Sequence, residues 1–234
     1  MMEESTQMPD DELLHRLRRF HLDAYPQYRE QFQTLVEQGQ HPTTLFIGCS
    51  DSRLVPYLLT GAQPGELFLV RNVGAFVPPY DGSHGHHGTT AAIEYAVLTL
   101  AVRRIVVCGH SHCGAINAMY GDVAPEAPNL QRWLDLGREA VLPMQPCPEV
   151  LHRTEQRAIV LQLERLMDYP MVRAGVEAGR IALHGWHYVI EEGEVYVFDV
   201  ASGSFVAASH RAAPPANDMP YVEHDGQVLT DWVL

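Results

Sequence analysis

The sequence predicts an α/β protein with a mainly parallel central sheet, flanking helices and an N-terminal helical arm. Two observations carry that prediction. Short apolar runs rich in strand formers alternate with longer amphipathic stretches, the order that produces strand–helix–strand crossovers and parallel pairing. The first 40 residues, in contrast, carry helical patterning alone.

The elements follow in order. Asp10 to Gln38 reads as helix, broken near Pro26; "DDELLHRLRRFHLDAY" opens with acidic residues and sets Leu13, Leu14, Leu17 and Phe20 on one face. "TTLFIGC" (43–49) is a short apolar strand, and "GELFLVRN" (65–72) is a second, bounded by Pro64-Gly65 and Asn72. "GTTAAIEYAVLTLAV" (88–102) is helical, with Ile93, Val97 and Leu100 on one face; "RRIVVCGH" (103–110) is a third strand. Helix restarts in "CGAINAMYG", with Gly121 as its stop. "PNLQRWLDLGREAV" (128–141) follows as helix, then the Pro-rich "PMQPCP" linker. "EVLHRTEQRAIVLQLERLMDY" (149–169) is a long amphipathic helix ended by Pro170. "RIALHGWHYVIEEGEVYVFDV" (180–200) gives two strands turning at Glu192-Gly193, and from Ala207 the tail reads as irregular up to "GQVLTDWVL". The organisation expected is an arm (1–40), one α/β domain (41–207) and a tail (208–234) that is mobile or forms an interface.

A chain of 234 residues with 46% apolar content builds one real core. Its net charge of −13 argues against nucleic acid or an anionic membrane as partner, and its sixteen cationic side chains are all arginine. "MMEESTQMPDDELL" lacks the basic-then-apolar order of a secretory signal, and no apolar run reaches the roughly 18 residues that span a bilayer. Cysteines 49, 108, 113 and 147 then belong to a reducing compartment, where thiols act as ligands or nucleophiles rather than bridges. The cytoplasm, or an organelle or microcompartment interior, is the expected location.

In parallel sheets ligands bind off the carboxyl ends of the strands. Cys49 ends the first strand within "LFIGCSDSRLVP" and His110 lies just past the end of the third, at Gly109, within "GHSHCGA", so the two stretches are expected to meet. Cys49, His110 and Cys113 offer three soft donors, and three protein ligands leave a position for water, as in a catalytic zinc site. Cys108 and His112 compete as ligands; Cys108, in the strand between Val107 and Gly109, reads rather as a buried small hydrophobe, and His112 as a loop residue. Alone, Cys-x-Asp-x-Arg or His-x-x-Cys is a weak signal. Together, at glycine-flanked strand ends, they point to metal.

"CSDSR", "PGELFLVRNVGAFVPPY", "GTTAAIEYAV" and "RRIVVCGHSHCGAI", in this order and spacing, resemble a beta-class carbonic anhydrase. The resemblance is dense over residues 40–120 and thinner to about 207. It implies the beta-carbonic anhydrase fold and zinc-dependent reversible hydration of CO2 to bicarbonate and a proton, with one zinc ion per subunit. Cys49, His110 and Cys113 would be the zinc ligands, and Asp51 with Arg53 the catalytic dyad, Arg53 holding the carboxylate ionised and off the metal. Gln40, Phe68, Val73, Tyr95 and Gly114 match substrate-pocket positions. The family's active site lies at a dimer interface, so the resemblance implies a homodimer or higher even oligomer in which Gln40, Phe68 and Tyr95 come from the neighbouring subunit. Arg71 and Tyr188 match a regulatory bicarbonate pattern, but the tryptophan it requires is replaced by Phe46.

Two rival readings keep the same metal: hydrolysis of a CO2 analogue such as carbonyl sulfide or carbon disulfide, and a non-catalytic zinc module in a larger assembly. A thiol redox protein is disfavoured because no Cys-x-x-Cys is present. "GSHGHHG" (82–88), with His84, His86 and His87, reads as a solvated loop ahead of a proton relay or second metal tract. Cys147 reads as a free thiol without a role, Met167 and Met171 as helix packing, and Trp186 as a core or interface anchor.

Overall fold

A computed structural model describes residues 11–81 and 87–210. His84, His86 and the tail beyond residue 210, for which the sequence carries expectations, lie outside them. The chain divides into two compact units, residues 1–40 and 41–234.

The first unit is helical. Helix α1 (Glu12–Arg19) is capped by Asp11, whose carboxylate accepts the Leu13 N–H at 2.9 Å. A π-helical turn (Phe20–Ala24) leads into α2 (Tyr25–Gln38). Pro26 therefore does not break the helix; it sits in the first turn of α2, where its missing N–H costs least. Gly39, at φ 83°, ends the unit's last helix.

The second unit holds a six-stranded sheet in the order β2-β1-β3-β4-β5-β6. Its parallel part comprises β1 (Thr44–Cys49), β2 (Leu67–Asn72), β3 (Arg104–His110) and β4 (Ala182–Val189). Antiparallel β5 (Glu194–Asp199) and β6 (Ser204–Ala207) complete it. The mainly parallel α/β architecture expected from the sequence is thus present.

Alternation sends successive residues of the central strands to opposite faces. Leu45, Ile47, Ile105 and Val107 join one buried cluster, while Phe46, Val106 and Cys108 join another. Both faces are covered, which is why β1 reads as an unbroken apolar run.

The flanking helices are α3 (Pro56–Thr60), α4 (Gly88–Glu94), α5 (Gly114–Ala118), α6 (Pro128–Leu134), α7 (Pro148–Leu166) and α8 (Pro170–Glu177). Four of them start on proline, whose fixed φ suits a first turn. Helix α4 runs on through a π-helical turn (Tyr95–Thr99), and α6 tightens into a 3-10 helix (Asp135–Ala140). Helix α5 ends at Ala118 instead of reaching Gly121, and α3, α8 and β6 go beyond the sequence reading. No helix of the described residues is long and apolar enough to cross a membrane.

Candidate metal centre

Parallel pairing of β1 with β3 brings Gly48 opposite Cys108, so the carboxyl ends carrying Cys49 and His110 lie side by side. Between His110 and Cys113 the chain reverses through His112, held at φ 56° in the left-handed region. Cys113 then caps α5. The donor atoms of Cys49, His110 and Cys113 all lie within 4.8 Å of one another. Their side chains are sealed from solvent, at 6%, 0% and 5% exposure.

The donor set fits zinc. Nδ1 of His110 lies 2.8 Å from the Ser111 carbonyl, and Nε2 is buried without a hydrogen-bond partner. An Nδ1–H donated to that carbonyl fixes the tautomer that leaves the Nε2 lone pair available. A hydrogen bond with Cys113 pushes Cys49 well below the usual thiol range, and the same bond pushes Cys113 up. Two thiolates and a neutral imidazole form a strong zinc-binding set.

Asp51 and Arg53 lie at the rim. Arg53 donates through Nε to Oδ1 at 2.9 Å and through Nη2 to Oδ2 at 2.7 Å, and its backbone N–H also reaches Oδ1 at 2.9 Å. This bidentate pairing holds the Asp51 carboxyl well below the usual carboxylate range. Asp51 Oδ2 lies 3.9 Å from His110 Nε2, beside the donor group but turned to the guanidinium. Arg53 also donates to the His112 carbonyl at 3.0 Å, tying the dyad to the turn between two of the donors.

Further contacts brace this turn. Glu191, in the β4–β5 connection, accepts the Ser111 hydroxyl at 2.7 Å and lies 3.1 Å from His112 Nε2. Glu155 of α7 accepts the Cys113 N–H at 3.2 Å. Arg71 donates to the carbonyls of Cys49 and Asp51 at 2.7–3.0 Å, fixing the end of β1. Sequence reasoning missed Glu155, Glu191 and this use of Arg71. For Glu155 a signal existed: a carboxylate on the helix stripe that carries Ala158, Ile159 and Gln162.

The pocket candidates separate. Gly114 opens α5 next to Cys113, and Val73 follows β2, its carbonyl accepting the Trp133 indole N–H at 2.6 Å. Phe68 and Tyr95 meet each other, ring centroids 5.8 Å apart. The structure does not bring Phe68 to the Cys49 of its own chain. It pairs with Leu45, four residues before Cys49 and roughly 13 Å away along the strand. Gln40 is exposed in the first unit. Cys108 is fully buried, Cys147 is an exposed free thiol, and Phe46 packs edge-on against Trp186 at 6.1 Å.

Sheet and centre together describe an α/β enzyme of the zinc-dependent kind. The carbonic anhydrase family matches residues 44–195, and the chain belongs to that family, in its beta class. A carbonic anhydrase of Pseudomonas aeruginosa is 42% identical over 198 residues, covering 81% of this chain and 87% of its own. One from Synechocystis is 36% identical over 228 residues, covering 94% and 82%. Among solved structures, the beta-carbonic anhydrase CcaA is similar at TM-score 0.77 with 37% identity over 83% of this chain and 90% of that one. Tetrameric beta-carbonic anhydrases of Sordaria macrospora match at TM-score 0.69 with 30% identity, over 79% and 94%.

Proposed function

We propose that this enzyme interconverts CO2 and bicarbonate with one zinc ion per subunit, held by Cys49, His110 and Cys113. The observation that carries the reading is the locked Asp51–Arg53 pair beside the three convergent donors. A non-catalytic zinc module has no use for a carboxylate kept ionised at the rim and restrained from the ion.

When bound, zinc supplies the Lewis acidity that lets a water deprotonate near neutral pH, an established property of three-histidine carbonic anhydrases. The chain's own residues do the rest. Ionised Asp51 accepts a hydrogen bond from the attacking oxygen's proton and so aims its lone pair at carbon. Arg53 occupies both carboxylate oxygens and keeps them from joining the donor set. The Gly114 N–H, at the start of α5, is assigned to a substrate oxygen, and Val73 to the pocket wall.

Gln40, Phe68 and Tyr95 are assigned to the neighbouring subunit's pocket, with a homodimer as the minimum unit and the arm (1–40) gripping the partner of the catalytic domain (41–207). Exposed apolar side chains support this: Leu58 and Leu98 in the second unit at 82% and 67%, and Leu22 and Val36 in the arm at 70% and 83%. Such exposure belongs to surfaces covered in an oligomer. Four free cysteines, two of them needed as thiolates, support a cytoplasmic or comparably reducing location.

Stopped-flow CO2 hydration with zinc quantification tests the reading. Purified protein is expected to carry one zinc per chain, to lose activity on chelation and to regain it with zinc. Full zinc loading without CO2 hydration would overturn it.

A further inference from the structure

Behind the Cys113 turn lies a second convergent group, whose two histidines the carbonic anhydrase reading does not use. We propose that His152, Glu155 and His187 form a second metal site, which takes one exchangeable divalent ion of the late first-row transition series. His152 and Glu155 stand three apart on α7, on one helical face, and His187 faces them from β4. Their donor atoms lie within 4.8 Å of one another, the same limit that the Cys49 group meets.

Three features favour an ion over a hydrogen-bonded pair alone. First, Glu155 is only 4% exposed, and its partners are the Cys113 N–H and the His187 imidazole. Among the described residues no arginine lies within ion-pair distance of it, and the chain contains no lysine. A buried carboxylate without a fixed cation is costly, and a divalent ion on Oε2 supplies the missing charge while Oε1 keeps the Cys113 N–H.

Second, His187 is fully buried, and its Nε2 faces the Glu155 carboxylate. Its Nε2 lies 3.1 Å from Glu155 Oε2, near the roughly 3.4 Å between two donors that share one tetrahedral ion at about 2.1 Å. Third, His152 is the exposed member and gives an ion a way in. Its ring stands edge-on to that of His187 at 4.8 Å, and the Gln156 amide lies 3.1 Å from its Nε2. Its partial burial lowers its affinity for a proton, which leaves a lone pair for metal. Two imidazoles and one carboxylate suit zinc, cobalt, nickel or copper rather than magnesium or calcium.

The test is a cobalt titration of the zinc-loaded enzyme, read by visible absorption, calorimetry and thermal unfolding. It does not depend on hydratase activity. The expected result is a second equivalent of metal per chain, whose absorption lacks the thiolate-to-cobalt charge-transfer band and whose binding raises Tm. His152→Ala, on the surface, is expected to weaken this equivalent at least about tenfold while keeping the zinc and CO2 hydration unchanged. A combined His84→Ala, His86→Ala, His87→Ala variant controls for the histidine-rich loop and is expected to keep the second equivalent. The proposal fails if only zinc binds, if His152→Ala still takes the second ion with wild-type affinity, or if the loop variant abolishes it.

Discussion

Glu155 serves the donor turn through one hydrogen bond, from the Cys113 N–H at 3.2 Å. Removing its carboxylate strands that N–H and the His187 imidazole in a buried site. Glu155→Ala should therefore cost about 1–3 kcal/mol of stability and speed the loss of zinc to a chelator. Glu155→Gln keeps an acceptor oxygen and should recover much of both; urea unfolding and zinc release kinetics check this pair. Of the residues legible in the sequence, Cys49, His110 and Cys113 lie at or just past strand ends beside a glycine, where chain order predicts that the two stretches meet; Asp51 and Arg53 were legible through the family resemblance of "CSDSR". Glu155 meets the turn from 42 positions away through helix-on-sheet packing, and Arg71 reaches carbonyls of a neighbouring strand. The Arg71 contacts leave no local pattern to read, and Glu155 shows in the sequence only as a carboxylate on a buried helix stripe.

At the scale of elements, the seat of α7 on β3 and β4 depends on two glycines without side chains to obstruct it. A Cβ at Gly109 would lie 2.8 Å from Ile159 Cγ1, and one at Gly185 would lie 2.9 Å from Ile159 Cγ2. Both distances are shorter than packed carbon atoms tolerate, so the helix would have to lift. Gly109→Ala should destabilise by about 1–3 kcal/mol. The added Ile159→Ala should cost less in that background than in the wild type, since it vacates the space the new methyl needs. A double-mutant cycle by urea unfolding measures the coupling, and strict additivity would contradict the packing argument. Because α7 carries Glu155, the lifted helix should also weaken zinc retention. Long periodic elements such as α7 and the apolar central strands were legible. The elements missed were short: α3 has 5 residues, α8 has 8 and β6 has 4. Such segments fall short of the window over which a period can be read, and their neighbours decide their form.

The whole molecule carries a formal charge of −13, and its response to acid rests on carboxylates held in the folded state. Glu191 is pushed down to about 2 by hydrogen bonds from its own backbone N–H and the Ser111 hydroxyl. A carboxyl lowered on folding adds stability that is fully present above its unfolded value of about 4.3 and drains away as pH falls toward its folded value. Glu191→Gln should thus flatten the fall in urea midpoint below about pH 4 while leaving the profile near neutrality unchanged in slope. Assembly should follow from the exposed apolar side chains of both units. Sedimentation should show a dimer or a larger even oligomer, and replacing Leu58 and Leu98 by serine should weaken it; a monomeric wild type that hydrates CO2 would contradict the assignment of Gln40, Phe68 and Tyr95 across an interface.

If a metal centre and the restrained carboxylate beside it together drive CO2 hydration, activity needs both intact. The most direct test is kcat/KM for CO2 in Arg53→Ala, measured with its zinc content. Without the guanidinium that holds both oxygens of Asp51, activity is expected to fall by on the order of 100-fold or more while one zinc per chain remains. Wild-type turnover in that variant would contradict the account.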